Sequence, residues 1–275
     1  MILVTGASGN LGSKLIERLE FASINYRKAV RKADPDCIDQ VTFDLLNPET
    51  FKSAVLDCDV VFLLRPPAIS NMKQTLNIFI DVARKNGIKH IIFISVAGAN
   101  RMVPHYAVEQ HLKAGPLDWT ILRPDFFMQN LEMAYQSDIR YQNEIYVPAG
   151  NGQISFIDVV DLAEVASKVI QDPTNYFGKT YTLTGPEALS FKKVASILSV
   201  ELGRPIQYRP ACVVGYILHL RKQRLGLLQI IVQTTLHFSL RFRRAQVADN
   251  LLADLLGHQG NTMKDYVRRE RMKWL

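Results

Sequence analysis

Three glycines spaced three residues apart, Gly6, Gly9 and Gly12, lie in the run Val4-Thr5-Gly6-Ala7-Ser8-Gly9-Asn10-Leu11-Gly12. An apolar segment, Ile2–Thr5, leads into them and an amphipathic one, Asn10–Phe21, leads away. Each glycine has a task in such a strand-to-helix turn. Gly6 permits the tight reversal, Gly9 lets the backbone approach a pyrophosphate with no Cβ between, and Gly12 allows close packing of helix on strand. The amides at the helix start then face the anion. A glycine triplet alone is weak evidence; its place between a strand and a helix supplies the context a dinucleotide site demands.

The end of the second predicted strand chooses between dinucleotides. An NAD site usually carries Asp or Glu there, about 20 residues after the glycines, to bond the ribose hydroxyls. Here the chain reads Ala29-Val30-Arg31-Lys32. A carboxylate would repel a 2′-phosphate, whereas the Arg31 guanidinium grips one bidentately and the Lys32 ammonium adds a point charge, so NADP(H) is favoured over NAD(H). A competing reading leaves Arg31 and Lys32 solvated and folds Asp34 or Asp36 back to the ribose. Asp44-Leu45 closes the third strand, where Asp44 either accepts from an adenine amino group or signals a helix start. Leu64-Arg65-Pro66-Pro67 ends the fourth strand at the carboxyl edge, where doubly wound sheets bind ligands, and proline forces the backbone to turn there.

A catalytic group is harder to find. Short-chain dehydrogenases usually use Tyr-x-x-x-Lys, in which the ammonium lowers the phenol pKa so that tyrosine passes a proton while hydride moves. This chain offers Tyr106-Ala107-Val108-Glu109-Gln110, without the lysine. Tyr106 is thus a weak candidate, and so is His105, which would donate a proton with a pKa near 6.5 unless it merely caps a helix or sits on the surface. Quinone and azo acceptors need less help, since a reduced cofactor delivers hydride to an electron-poor π-system while solvent supplies the proton. The sequence shows no serine–histidine–acid arrangement, no metal-ligand spacing and no P-loop lysine; Asp158 and Asp161 read as first-turn helix acids.

The elements that must position these residues follow from hydrophobic period. Strands are predicted at Ile2–Thr5, Tyr26–Val30, Val41–Asp44, Val60–Leu64, His90–Val96, Trp119–Arg123 and Lys179–Thr184. Helices are predicted at Asn10–Phe21, Pro48–Leu56, Met72–Asn86, Val108–Ala114, Asp125–Tyr135, Asp158–Gln171, Lys193–Leu202, Val213–Leu228 and Ala245–Leu256, with stops at Gly87, Gly203 and Gly257. Alternation of the two is the pattern of a Rossmann-type, doubly wound parallel α/β sheet. The NADP-binding core is expected over 1–125 with 153–185 returning to it. Residues 126–152 and 186–275 then form a smaller, mainly helical substrate-side subdomain.

With 275 residues, 48% of them hydrophobic, the chain can bury a large core. The start lacks a basic n-region and a cleavage site, which gives a cytoplasmic address by default. Cys37, Cys58 and Cys212 are odd in number and widely spaced, hence reduced thiols. The net charge of +7 is concentrated late: residues 201–275 hold 13 Lys and Arg against 5 Asp and Glu. These charges interrupt apolar helical patterns, which suits a solvated helix face, while an acidic partner or a membrane surface is the other reading. Nucleic acid is not expected, because Arg241-Phe242-Arg243-Arg244 interleaves a single aromatic. The apolar stretch from Cys212 to Leu240 is broken by Arg221–Arg224, so no transmembrane segment is predicted.

Several stretches together resemble the NmrA-like family of atypical short-chain dehydrogenases/reductases, which includes quinone and azo-dye reductases and redox-sensing regulators. They are the Thr5–Gly12 start, His105…Glu109…Leu112, Asp118–Asn130, Ser155–Ala163, Tyr181–Leu189 and Leu202-Gly203-Arg204-Pro205. The resemblance implies that Gly6, Ser8, Gly9, Asn10 and Leu11 line the pyrophosphate, Arg31 the 2′-phosphate and Asp44-Leu45 the adenine. It further implies Leu64-Arg65-Pro66 and Ser95-Val96 along the ribose and nicotinamide, with Pro124 and Phe126 near the ring; Phe126 reads equally as core packing. Two functions follow: an NADPH-dependent reductase of a quinone-like or other conjugated small molecule, or a non-catalytic NADP(H) sensor that binds a partner protein. Residues 206–244 match the family least and read either as a lid or as support helices.

Overall fold

Aliphatic runs too short for helices become strands, and the amphipathic stretches between them become helices. The structure is a computed structural model describing residues 1–66, 69, 71–245 and 250–275. In chain order it begins β1 (Ile2–Val4), α1 (Asn10–Phe21), β2 (Tyr26–Val30), β3 (Gln40–Thr42), α2 (Glu49–Val55), β4 (Val60–Leu64), α3 (Leu76–Lys85), β5 (His90–Ile94), α4 (Pro104–Ala114) and β6 (Asp118–Pro124). It continues through β7 (Phe126–Phe127), α5 (Asn130–Met133), β8 (Glu144–Val147), β9 (Ile154–Ile157), α6 (Val159–Gln171) and β10 (Lys179–Leu183). It ends with β11 (Ala188–Leu189), α7 (Phe191–Leu202), β12 (Gln207–Pro210), α8 (Val213–Lys222), α9 (Leu227–Leu240), α10 (Leu251–Leu256) and α11 (Met263–Glu270). Two compact units result, one of Met1–Asp125 with Val159–Leu183, the other of Phe126–Asp158 with Thr184–Leu275.

The first unit is a seven-stranded parallel sheet in the order β10-β6-β5-β4-β1-β2-β3. Its inner strands β1, β4 and β5 are mainly apolar, as burial on both faces requires: all five residues of β5, His-Ile-Ile-Phe-Ile, are buried, while β2, β3 and β10 toward the edges carry polar residues. α1 buries Leu11, Leu15, Ile16 and Leu19, one stripe at helical spacing, and packs beside α6. Phe43, Phe51 and Phe79 meet edge-on or tilted at centroid distances of 4.9–5.6 Å beneath α2 and α3. Strand order reverses between β1 and β4, which opens a crevice beyond their carboxyl ends.

The second unit contains a three-stranded sheet, β11-β9-β7, and a parallel pair, β12-β8, packed with helices around Tyr135, Phe156, Phe191, Tyr266 and Trp274. Gly185 is obligatory there, since a Cβ would lie 1.6 Å from the Phe156 carbonyl oxygen. The Asp158 carboxylate is fully buried and accepts from Gln129 Nε2 and Arg269 Nη2, both at 2.8 Å.

Most elements fall where their period placed them, and the departures have identifiable causes. Phe126–Phe127, expected in a helix over Asp125–Tyr135, form a strand because they pair in register with Phe156–Ile157; the helix shrinks to Asn130–Met133. The helix expected over Val213–Leu228 breaks after Lys222, where Arg224 takes φ +60° and the Gln229 side chain accepts from the Gly226 amide to start α9. α3 begins four residues later than expected, because Asn71 Oδ1 and carbonyl O hold Gln74 N and Thr75 Oγ1 in a turn. α4 begins earlier, at Pro104, the proline being suited to a first helical position. Residues 246–249 of the helix expected over Ala245–Leu256 lie outside the described residues, and α10 begins at Leu251. The segment expected to return at 153 first gives Ile154–Ile157 to the second unit and rejoins the first at Val159.

Candidate functional site

The glycine turn sits at the β1–β4 reversal. Gly6 takes φ +64°, and a Cβ on it would lie 2.7 Å from Leu64 Cδ2. Gly12 is under harder constraint: its Cβ would stand 2.2 Å from the Gly6 carbonyl oxygen and 2.9 Å from Ala7 Cα, both backbone atoms with no room to yield. Gly9, at φ −84°, meets only the Gly6 carbonyl at 3.3 Å, so the protein itself demands glycine there least, which suits a residue kept small for a ligand's approach. The Gly9 amide donates to Gly6 O at 2.9 Å and closes the turn. Thr5 Oγ1 donates to Phe62 O at 3.0 Å and accepts from Leu64 N at 2.8 Å, which pins the ends of β1 and β4 together. Gly9 caps α1 without a side chain and the first helical turn carries no acidic residue, so the positive end of the helix is not neutralised from within. Ser8 and Asn10 are exposed on this turn, and Leu11 anchors it in the core.

Arg31 and Lys32 are exposed immediately after β2 and pair with no acidic group among the described residues. Asp34 accepts from the Asp36 amide at 3.1 Å, which turns the loop locally. Asp44 Oδ1 accepts from Leu46 N at 2.9 Å, while α2 is entered through Asn47, whose Oδ1 accepts from Glu49 N; Asp44 therefore shapes the turn after β3 and is not the helix cap. Leu45 is buried.

Beyond the ends of β4, β5 and β6, Leu64, Arg65, Pro66 and Val96 are half-buried and Pro124 is buried, while Pro67 lies outside the described residues. Arg65 Nε donates to Ile69 O at 2.7 Å, and burial lowers the guanidinium pKa. His105, in the first turn of α4, differs from the sequence expectation of a pKa near 6.5. Burial, helped by the Arg65 charge, pushes it down to about 4, so the imidazole is neutral at physiological pH and is no ready proton donor. Tyr106 is half-exposed and borders an open pocket of about 420 Å³ lined by residues of the Asn71–Lys73 turn and the start of α4.

Sequence reasoning missed the charged group at this edge. Glu109 is wholly buried on α4. Its Oε1 accepts from Ser95 Oγ at 2.5 Å and from Arg123 Nε at 2.8 Å, its Oε2 accepts from Arg123 Nη2, and Lys113 Nζ stands 3.9 Å away. Burial raises the Glu109 pKa, but the Arg123 and Ser95 bonds outweigh it and leave the carboxyl below its usual range. Ser95, expected along the cofactor, thus turns its hydroxyl to Glu109. Glu109 and Arg123 are 14 residues apart in sequence, a spacing with no periodic signature. Phe126, read either as near the ring or as core packing, is 7% exposed and meets Phe156, Phe191 and His237 edge-on.

The family model described as NmrA-like matches residues 1–214. The chain belongs to the NmrA-like family. A relative, the NAD(P)H azoreductase of Xenophilus azovorans, is 33% identical over 223 residues, 76% of each chain. Among solved structures, Citrobacter triphenylmethane reductase complexed with NADP(H) superposes with TM-score 0.86 at 21% identity, covering 98% of this chain and 99% of that one. Escherichia coli NADPH-dependent quinone oxidoreductase complexed with NADPH gives TM-score 0.85 at 21% identity, covering 98% and 99%. These two likenesses establish a shared fold. Among the described residues, no helix is long and apolar enough to cross a membrane.

Proposed function

We propose that this NmrA-like chain binds NADP(H) at the β1–β4 reversal and reduces a quinone-like or otherwise conjugated small molecule. The observation that carries the reading is the Gly6–Gly12 turn, whose first glycine takes a positive φ and whose third admits no Cβ, where strand order reverses between β1 and β4. Gly6, Ser8, Gly9, Asn10, Leu11 and Gly12 would hold the pyrophosphate, Arg31 and Lys32 the 2′-phosphate, and Asp44 with Leu45 the adenine end. Leu64, Arg65, Pro66, Ser95, Val96 and Pro124 would line the ribose and nicotinamide side. When bound, the reduced nicotinamide supplies a hydride. The azoreductase relative supports an azo- or quinone-like acceptor class, and a cytoplasmic address would suit it.

The protein's own contribution is orientation. Glu109 fixes the Ser95 hydroxyl and the Arg123 guanidinium to one another and so stiffens the ends of β5 and β6 beside the site. A conjugated acceptor takes its proton from solvent, which fits a neutral His105 and a Tyr106 without a lysine partner. Stopped-flow oxidation of NADPH against a panel of quinones and azo dyes tests the reading, with turnover of at least one acceptor expected. Tight NADPH binding with no turnover of any acceptor would instead support the sensor reading, in which NADP⁺ and NADPH change affinity for a partner protein. The 2′-phosphate assignment predicts that Arg31→Ala weakens NADPH by tens-fold, the value of a charge-assisted bond of about 2 kcal/mol, and leaves NADH nearly unchanged. Equal losses for both would reject it.

A further inference from the structure

α8 and α9 present an apolar surface away from the core they belong to. α9 buries Ile230, Thr234, His237 and Leu240 on one side. On the opposite side, by helical spacing, it exposes Leu228 (71%), Ile231 (54%) and Val232 (56%), with Leu227 and Leu236 flanking. The adjoining α8 exposes Val214 (68%) and Leu218 one turn apart. A soluble monomer rarely leaves so many large aliphatic side chains exposed together.

The charges carried by this segment have one sign. Arg221, Lys222 and Arg224 are exposed at the α8–α9 turn, and Arg241 and Arg244 are exposed just past the other end of α9, next to an exposed Phe242. From Leu202 to Ala248 the sequence carries eight Lys and Arg and not one Asp or Glu. A second copy of the chain fits such a surface poorly, because any self-pairing brings basic clusters together with no acidic residue of the segment to compensate them. A surface of anionic lipid supplies what both features lack: an acyl boundary for the aliphatic side chains and phosphate or carboxylate head groups for the cations.

We propose that the α8–α9 face docks on anionic membrane surfaces. Leu228, Ile231 and Val232 enter the acyl boundary, and the Arg221–Arg224 cluster at one end, with Arg244 at the other, rests among the head groups, while Arg241 lies over the Phe238 ring beside them. α9 has 14 residues, about 21 Å at 1.5 Å per residue, too short for a hydrocarbon core of about 30 Å, so it lies in the interface plane. This inference does not depend on which acceptor the first unit reduces.

Cosedimentation of the full chain with vesicles tests it, comparing phosphatidylcholine alone with phosphatidylcholine mixed with phosphatidylserine, at low and at high salt. The expected result is binding that requires phosphatidylserine and weakens with salt. Arg221→Gln with Arg224→Gln should lower the partition coefficient roughly fivefold per cation removed, and Leu228→Gln with Ile231→Gln should lower it at both salt concentrations. Circular dichroism and NADPH titration confirm that each variant is folded. Failure of the folded wild-type chain to bind phosphatidylserine vesicles would overturn the proposal. So would a wild-type dimer in solution that Leu228→Gln with Ile231→Gln converts to monomer while vesicle binding is absent, an outcome that assigns the face to a second copy.

Discussion

The two units solve the same problem, burying an apolar core, by different means. In the first, strands and helices alternate along the chain, every strand joins one parallel sheet, and Thr5, Ser95 and Arg123 lie at strand ends. In the second, short strands 30 or more residues apart pair with one another, and polar groups enter the core itself. His237 is 3% exposed, bonded to the Tyr135 hydroxyl and to the Gln233 carbonyl, and burial pushes it down to about 4. A neutral imidazole serves such a core because a charged one would be stranded in it. The first unit sets Thr5, Ser95 and Arg123 at strand ends and buries its own fasteners, His90 and Glu109, behind them; the second places His237 and Asp158 within its core.

The largest expected effects separate the units by one methyl group each. Gly12→Ala and Gly185→Ala each drive a Cβ into a carbonyl oxygen and should cost about 3 kcal/mol or more. Urea unfolding measures the loss, and NADPH fluorescence divides it: Gly12→Ala should abolish binding, whereas Gly185→Ala should retain it wherever the protein stays folded. Loss of NADPH binding in folded Gly185→Ala would break the comparison. Next, Glu109→Gln leaves the Arg123 guanidinium short of its counter-charge and should cost about 3 kcal/mol, toward the low end for a buried pair because Arg123 is partly exposed. Because the folded-state pKa of Glu109 is depressed, its contribution is present above the ordinary carboxyl range and is lost as pH falls through the folded value. The acid limb of stability should therefore flatten in Glu109→Gln.

A smaller effect belongs to both units. His90 in the first and His237 in the second are buried and held near 4 against an ordinary 6.5, so the unfolded chain binds more protons between those values. Stability should fall as pH drops through that window, by about 2 kcal/mol per histidine between about pH 7 and pH 5. Urea titrations across the range check this, and His237→Gln should remove about half of the slope the two histidines give; an unchanged slope would show that His237 titrates alike in the folded and unfolded chains. The smallest change is expected from Tyr106→Phe, where turnover of a conjugated acceptor should stay within about threefold, well short of the hundredfold or more that losing a general acid entails.

What the sequence revealed follows the same division. β2, β4 and α1 lie at the residues their periodicity predicted, because each is one uninterrupted run closed by local turn chemistry. Phe126–Phe127 could not be read: two residues carry no period, and their strand character exists only through Phe156–Ile157. The break at Arg224 was missed although the basic Arg221–Arg224 cluster and Gly226 mark it, because apolar helical runs flank the cluster, and α11 escaped notice although Thr262 and Asp265 form a capping box. At the site, the glycines were legible because backbone geometry dictates residue type. The Glu109–Arg123 pair was not, since a helix and a neighbouring strand meet there only after folding.

The first unit is interrupted in sequence, and this orders its assembly on the ribosome. When residue 125 has emerged, six strands can pair, yet β6 still has a bare edge where β10 will add, and the helix that packs beside α1 is unmade. Both gaps close only after Val159–Leu183 has been synthesised. A nascent chain stalled between these points would carry an unpaired strand edge and an uncovered apolar helix stripe, the two features chaperones bind and aggregates grow from.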